Sequence, residues 1–156
     1  MDPEQKILFQ EGIWVVVPGG MATLEVADTV VYMAMALRNV GTGLALLHGW
    51  HVQPGIQPDR THPPLEDFTM QNRDIYVAPR DIGFWQGALR DPAAEIFTAV
   101  TTAIGAGDPM MLSVLYGDFE GGQRVITQFV LRRGNDAWLA SAGRHFNVDR
   151  PDPRPG

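Results

Sequence analysis

The segment His48-Gly49-Trp50-His51 places two imidazole rings three residues apart, a spacing that suits a shared metal ion on a helix. On a strand, side chains three residues apart point to opposite faces, so the two rings would diverge. A zinc site needs three or four converging ligands, and no further His or Glu follows at a suitable spacing. We therefore predict no metal and no cofactor here, with one histidine packed beside Trp50 and the other exposed.

Asp118 and Glu120 form a second candidate, because they flank Phe119 in a stretch bordered by glycines. Two carboxylates in a tight loop suit Ca²⁺, but such sites take six or more oxygen ligands, and no EF-hand pattern is present. The stretch is typical of a solvated hairpin tip. Because loops often carry binding residues, Asp118 and Glu120 remain candidates for a binding surface.

Near the end of the chain, Arg144 and His145 are followed by Asp149 and Arg150. On a regular strand Arg144 and His145 face opposite ways. Asp149 has two possible partners, Arg150 and Arg124, and structural ion pairing is the favoured interpretation because such pairs are common. His145 is kept as a surface candidate.

The aromatic residues offer a third possibility. Four tryptophans lie in four different predicted strands: Trp14, Trp50, Trp85 and Trp138. Packing in the core explains most of them. If two aromatic rings were exposed together they would suit a carbohydrate or a peptide, and Phe84 and Trp85, beside Gln86-Gly87, are the best candidates.

Several kinds of chemistry are excluded by composition. The 156 residues contain no cysteine, which excludes disulfides, thiolate metal sites and cysteine nucleophiles. The two serines, Ser113 and Ser141, lie outside any Gly-x-Ser-x-Gly elbow, and no phosphate-binding glycine loop is present. A net charge of −6 opposes general binding to nucleic acid. The longest apolar run, 30–37, is too short to span a bilayer, so we predict no membrane insertion by this chain.

Short apolar or alternating runs separated by Gly and Pro predict the strands that would position these residues. The predicted strands are 13–17, 29–39, 44–52, 75–77, 82–85, 111–116, 124–132 and 138–146. Strand 29–39 is apolar on both faces, so it should be covered on both. A glycine-containing link suggests that 29–39 and 44–52 form a hairpin, and 53–73, which is rich in proline, is predicted to be a long irregular loop.

One short connecting helix is predicted around 92–105, with Asp91 as N-cap and Pro92 in the first turn. Many short strands and a single helix favour a mainly β fold, an antiparallel two-sheet sandwich, with a barrel as the alternative. We divide the chain into an N-terminal extension (1–12), a single sandwich domain (13–148) and a flexible tail (149–156).

The stretches Leu37-Arg38-Asn39-Val40-Gly41-Thr42-Gly43-Leu44-Ala45 and Leu115-Tyr116-Gly117-Asp118-Phe119-Glu120-Gly121-Gly122-Gln123-Arg124 resemble an uncharacterised bacterial family of hypothetical proteins with an immunoglobulin-like β-sandwich domain. The resemblance spans nearly the whole chain and implies that fold. It also implies attachment to a membrane-anchored region upstream of Met1, and it implies no activity.

The function expected from these observations is that of a non-catalytic interaction or sensory domain in a larger bacterial protein. Its partner would be an unknown protein or a second copy of the chain, with the 53–73 loop as the expected contact surface. A cytoplasmic location is slightly favoured, with membrane tethering as the alternative.

The alternative function is that of a hydrolase or a metal-dependent enzyme. It requires at least three side chains of one set to converge in a cleft. That set is His48, His51, His62, His145, Asp118, Glu120 and Asp149.

Overall fold

A computed structural model describes residues 5–9, 11, 14–17, 21–38, 45–56, 61–77, 82–118, 123–135 and 137–149. The strands in chain order are β1 (Gln5–Leu8), β2 (Trp14–Val17), β3 (Met21–Val26), β4 (Val31–Arg38), β5 (Ala45–Pro54), β6 (Thr69–Val77), β7 (Ile82–Leu89), β8 (Met110–Asp118), β9 (Arg124–Arg133) and β10 (Trp138–Asn147). A 3₁₀ turn covers Leu65–Asp67, and the helix α1 covers Glu95–Ala106.

Eight of these strands form one antiparallel sheet in the order β6-β5-β8-β9-β10-β3-β4-β7. The other two, β1 and β2, form a separate antiparallel ribbon. The predicted mainly β, antiparallel fold with one helix is therefore confirmed.

The eight-stranded sheet curls around its own core. Trp50 on β5 and Trp85 on β7 lie near opposite ends of the strand order, yet their ring centroids are 5.5 Å apart in an edge-on contact. The expected division into two facing sheets is not what the structure has, because hydrogen bonding continues from β6 to β7 through one sheet. Alternating apolar residues do not distinguish a two-sheet sandwich from a single curled sheet, since both folds bury one side of every strand.

Strand β4 is covered on both faces, as its sequence predicts. Met33 and Met35 point into the curled sheet, where they join the main core beneath α1. On the outer face, Tyr32 and Ala34 contact the buried side of the β1–β2 ribbon. This ribbon is a small second layer, and its β1 lies within the segment that sequence analysis treats as an extension.

The predicted hairpin between β4 and β5 is wrong. Strand β4 lies between β3 and β7, whereas β5 lies between β6 and β8. Both strands are apolar on two faces, and each lies inside the sheet with a strand on either side, but they share no neighbour. The glycine-containing link between them falls largely outside the described residues.

Helix α1 begins three residues later than the sequence predicts. Its N-cap is Ala94, and the Asp91 carboxylate instead accepts a hydrogen bond from the Ala93 backbone N–H in the preceding turn, at 3.0 Å. The helix ends at Gly107, which has a left-handed φ of 73°, as the glycine pattern indicates. Gly105 lies inside the helix, one residue before its last.

Among the described residues, no helix has the length and apolar character needed to cross a bilayer.

Candidate functional site

The predicted surface candidates are not gathered into one site. Trp85 is only 1% exposed and lies in the core against Trp50, so its use as a surface aromatic is ruled out. Phe84 lies in β7 and Asp118 ends β8, while Glu120 is outside the described residues. His145 is the one candidate whose described side chain reaches the surface.

His145 ends a short hydrogen-bonded chain on the inner face of the sheet. A bulge in β10 between Ala142 and His145 breaks the regular alternation and brings His145 beside Thr127 on β9. The Thr127 hydroxyl donates to the Tyr116 hydroxyl at 3.0 Å and contacts His145 Nδ1 at 2.8 Å. With the threonine proton given to Tyr116, Nδ1 is the donor in the contact with the threonine oxygen.

A row of polar side chains crosses the outer face of three neighbouring strands. His51, Ser113 and Gln128 occupy paired positions on β5, β8 and β9. Ser113 and Gln128 are 2% and 3% exposed. Gln128 Nε2 donates to the Thr61 carbonyl oxygen at 3.1 Å and to Ser113 Oγ at 3.3 Å, so its donor hydrogens are used internally.

This row is covered by residues 61–68, which we call the cap. Phe68 lies against His51 with ring centroids 5.9 Å apart, and His62 meets Phe146 edge-on at 5.1 Å. Leu65 joins the same apolar cluster. The cap belongs to the 53–73 segment, which is predicted to be a long irregular loop and the contact surface. In the structure the cap packs on the sheet, and 69–73 is the first part of strand β6.

The cap makes the side chains of the covered row poorly accessible to a substrate. Burial lowers the pKa of His51, and the nearby Asp67 carboxylate opposes that shift in part, so the ring is neutral at pH 7. Two buried polar atoms of the row, His51 Nδ1 and Gln128 Oε1, have no hydrogen-bond partner. Each of them is suited to an internal water rather than to a substrate, because the cap lies over the row.

Asp149 closes the end of the sheet by binding Arg124, one of its two predicted partners. Its carboxylate accepts hydrogen bonds from Arg124 Nη2 at 2.7 Å and from the Arg124 backbone N–H at 2.8 Å. These bonds lower the pKa of Asp149 to about 2. His48 lies close enough to add a smaller lowering effect, and its Nε2 is 3.2 Å from where a Cβ on Gly117 would be.

The described side chains of the set required by the enzyme hypothesis, those of His48, His51, His62, His145 and Asp149, are thus divided among separate contacts. In the part of the chain that the structure describes, no three His, Asp or Glu side chains are grouped as a metal would require.

An accessible site lies beside β3, just beyond the short stretch in which β3 pairs with the start of β10. These strands are paired only at Trp138–Ala22 and Leu139–Met21, whereas β3 stays paired with β4 as far as Val26. From Thr23 onward, the edge of β3 that faces β10 therefore has no strand beside it among the described residues. We call this place the seam.

A groove with a volume of about 240 Å³ occupies the seam. Its walls are the free part of β3 and the β9–β10 turn: Thr23, Leu24, Glu25, Arg133, Gly134, Asn135, Ala137 and Trp138. Arg133 and Glu25 are both exposed, and within the described residues neither has an ion pair. The groove therefore combines an edge of β3 that has no strand beside it with one cation and one anion that have no ion pair, all within the described residues.

The Arg133 side chain lies against Gly107, at the C-terminal end of α1. Its Cδ and Nη1 atoms each lie 3.2 Å from the position that a Cβ on Gly107 would take. Cations are favoured at a helix C-terminus, where the backbone carbonyls are unpaired, so this position suits a guanidinium group. The glycine at the end of α1 thus leaves room for the arginine that lines the groove.

Sequence reasoning missed the seam. It assigned no strand to Met21–Val26, and it could not show that β10 follows β3 for only two residue pairs. The one available signal was the neighbouring pair Arg132-Arg133 before the Gly134 turn, which places cations at the end of a strand.

Comparisons with known proteins add little to this geometry. No protein-family model matches the chain, and no curated protein matches it. One similar solved structure is a protein from Archaeoglobus fulgidus, which is 12% identical, with coverage of 83% of this chain and 95% of that one. The TM-score is 0.33, so this likeness carries no argument. The resemblance to an uncharacterised bacterial family stays a prediction.

Proposed function

We propose that this domain is a non-catalytic interaction module that binds an extended segment of a partner protein in the seam. The partner segment adds a short strand to the free edge of β3. The observation that supports this is the unpaired edge beginning at Thr23, with a groove already open beside it. Unpaired strand edges are recurrent sites of peptide binding, since backbone groups supply the affinity and neighbouring pockets supply the specificity.

The polar chemistry of the domain also favours binding over catalysis. His51 packs on Phe68, His145 bonds to Thr127 and Asp149 bonds to Arg124, so each has a structural task. The groove, by contrast, holds charged groups that have no internal partner. The proposal does not depend on membership of an uncharacterised bacterial family, which remains a prediction.

The test uses a random-sequence hexapeptide library passed over the immobilised domain, with bound peptides measured by mass spectrometry. We expect the wild-type domain to retain a subset of the library. The variant Ala137→Trp, which fills the groove, should retain at least about tenfold less, because a strand cannot enter.

The matched control is Ala142→Trp, which adds the same ring at an exposed position of β10 outside the groove and should bind like the wild type. Synthetic copies of the retained peptides with N-methylated backbone amides should lose binding, since they cannot form ladder hydrogen bonds. Equal retention by the wild type and Ala137→Trp, or no retention by either, would show that the proposed function is wrong.

A further inference from the structure

The groove is closed at one end. Past Ala22, the edge of β3 is already occupied by β10, which pairs with it at Trp138 and Leu139. A strand added beside Thr23–Val26 therefore cannot continue in that direction. It has to end there or turn away, and a free chain end fits this place without a turn.

Arg133 stands at the closed end. It is paired across β9 and β10 with Trp138, which is itself paired with Ala22 on β3. These three residues form one row across the sheet, and the row marks the point where the groove stops. The guanidinium of Arg133 is exposed, has no ion pair within the described residues, and is supported by the end of α1.

We infer that the seam recognises the free C-terminal carboxylate of an extended peptide, with Arg133 binding the carboxylate at the closed end. This inference rests on the proposed function. Arginine presents a planar set of donors that matches both oxygens of a carboxylate. A peptide whose C-terminus lies beside Thr23 runs antiparallel to β3, in line with β10, so it occupies the place that β10 would fill if it began earlier.

The open end of the groove specifies the rest of the ligand. Glu25 lines this end and is exposed without an ion pair among the described residues, so it favours a cationic side chain two or three positions before the peptide's C-terminus. An extended peptide advances about 3.3 Å per residue, which matches the run from Thr23 to Glu25. The net charge of −6 also attracts a basic tail.

The experiment compares retained library peptides, each synthesised with a free C-terminal carboxylate and with a C-terminal amide. Affinity is measured by fluorescence anisotropy of N-terminally labelled peptides. For the wild type we expect the free acid to bind about tenfold more tightly than the amide, because the amide removes the charge that Arg133 binds. In Arg133→Gln the acid and the amide should bind equally.

The matched control is Arg132→Gln, since Arg132 is an exposed arginine on the same strand that does not line the groove. This variant should keep the tenfold preference. If acid and amide bind the wild type equally, yet Ala137→Trp abolishes both, the seam binds peptides without reading the chain end, and the carboxylate inference is overturned while the proposed function stands. If neither form binds, both are overturned.

Discussion

In two regions of this sheet the polar side chains differ in exposure: in one they are covered, and in the other they face solvent. Across β5, β8 and β9, long paired ladders hold His51, Ser113 and Gln128 side by side, and the cap at 61–68 covers them. At the seam, two residue pairs join β10 to β3, and the charges of Arg133 and Glu25 face solvent without an ion pair in the described part of the chain. We call the first region the covered ladder.

The contrast shows that polar residues alone do not indicate a site. The covered ladder holds three hydrogen-bonding side chains, but Gln128 donates to Ser113 and to the cap, and the cap lies over all three. The seam is available because its strands separate early, which leaves backbone groups and charges unpaired. Accessibility, and not residue type, separates the two regions.

The largest expected effect concerns the core that holds the curled sheet together. Replacing Trp85 by Ala should lower the free energy of unfolding by about 3–5 kcal/mol, since Trp85 is 1% exposed and packs edge-on against Trp50. Urea denaturation followed by circular dichroism measures this loss. Trp14→Ala is the control, because Trp14 is 60% exposed and its loss should change stability by no more than about 0.5 kcal/mol. Similar losses in both variants would contradict the packing described here.

A smaller effect is expected at Gly87, which leaves room for the two tryptophans. A Cβ there would lie 2.7 Å from Trp85 Cζ2 and 2.9 Å from Trp50 Cε2. Gly87→Ala should therefore cost about 1–3 kcal/mol of unfolding free energy, measured by the same denaturation. Gly105→Ala is the matched control: it lies in α1 with nothing within 4 Å, so it should raise stability by about 0.5–1 kcal/mol. No loss in Gly87→Ala would mean that the rings can move apart.

The sequence predicts the local elements of both regions better than the way they are joined. Alternation located the strands that carry Ser113 and Gln128, and the two apolar faces of β4 correctly predicted a strand covered on both sides. The order of strands depends on contacts between residues far apart in the chain, which no local pattern contains. For this reason the supposed hairpin of β4 with β5 was wrong and β3 was not assigned.

The candidate sites show the same limit. Two partners are predicted for Asp149, namely Arg150 and Arg124, and the structure pairs it with Arg124. The seam was not anticipated, since it exists only because β10 begins at Trp138, opposite Ala22, and so does not lie beside β3 from Thr23 onward. Packing in the core is the favoured interpretation of the tryptophans, and the structure places Trp85 there, so the alternative of a surface aromatic pair with Phe84 is wrong for Trp85.

Hydrogen exchange compares the two regions directly. β10 and β3 pair at Trp138–Ala22 and Leu139–Met21, and one of these two pairs directs its amide protons from strand to strand. Those protons should exchange roughly tenfold faster than the ones that join β8 to β9. Two residue pairs can separate without disturbing the neighbouring strands, whereas opening the β8–β9 ladder disrupts the core. Amide exchange in D₂O followed by NMR measures both sets. Equal protection would mean that the pairing of β10 with β3 opens only with the whole domain, and the two regions would then not differ in local stability.

The smallest expected effect is a dependence on pH at the Asp149–Arg124 contact. The pKa of Asp149 falls from 3.8 to about 2 in the folded chain, mainly because Arg124 donates to its carboxylate. A lowered folded pKa means that the unfolded chain binds the proton more tightly. The contact therefore contributes its full stabilisation above pH 3.8 and loses it as the pH falls through about 2.

Unfolding midpoints of Asp149→Asn should show a weaker decline over this range than the wild type, whereas Asp28→Asn, at an exposed turn, should follow the wild type. Identical curves for Asp149→Asn and the wild type would show that the ion pair does not close this end of the sheet in solution.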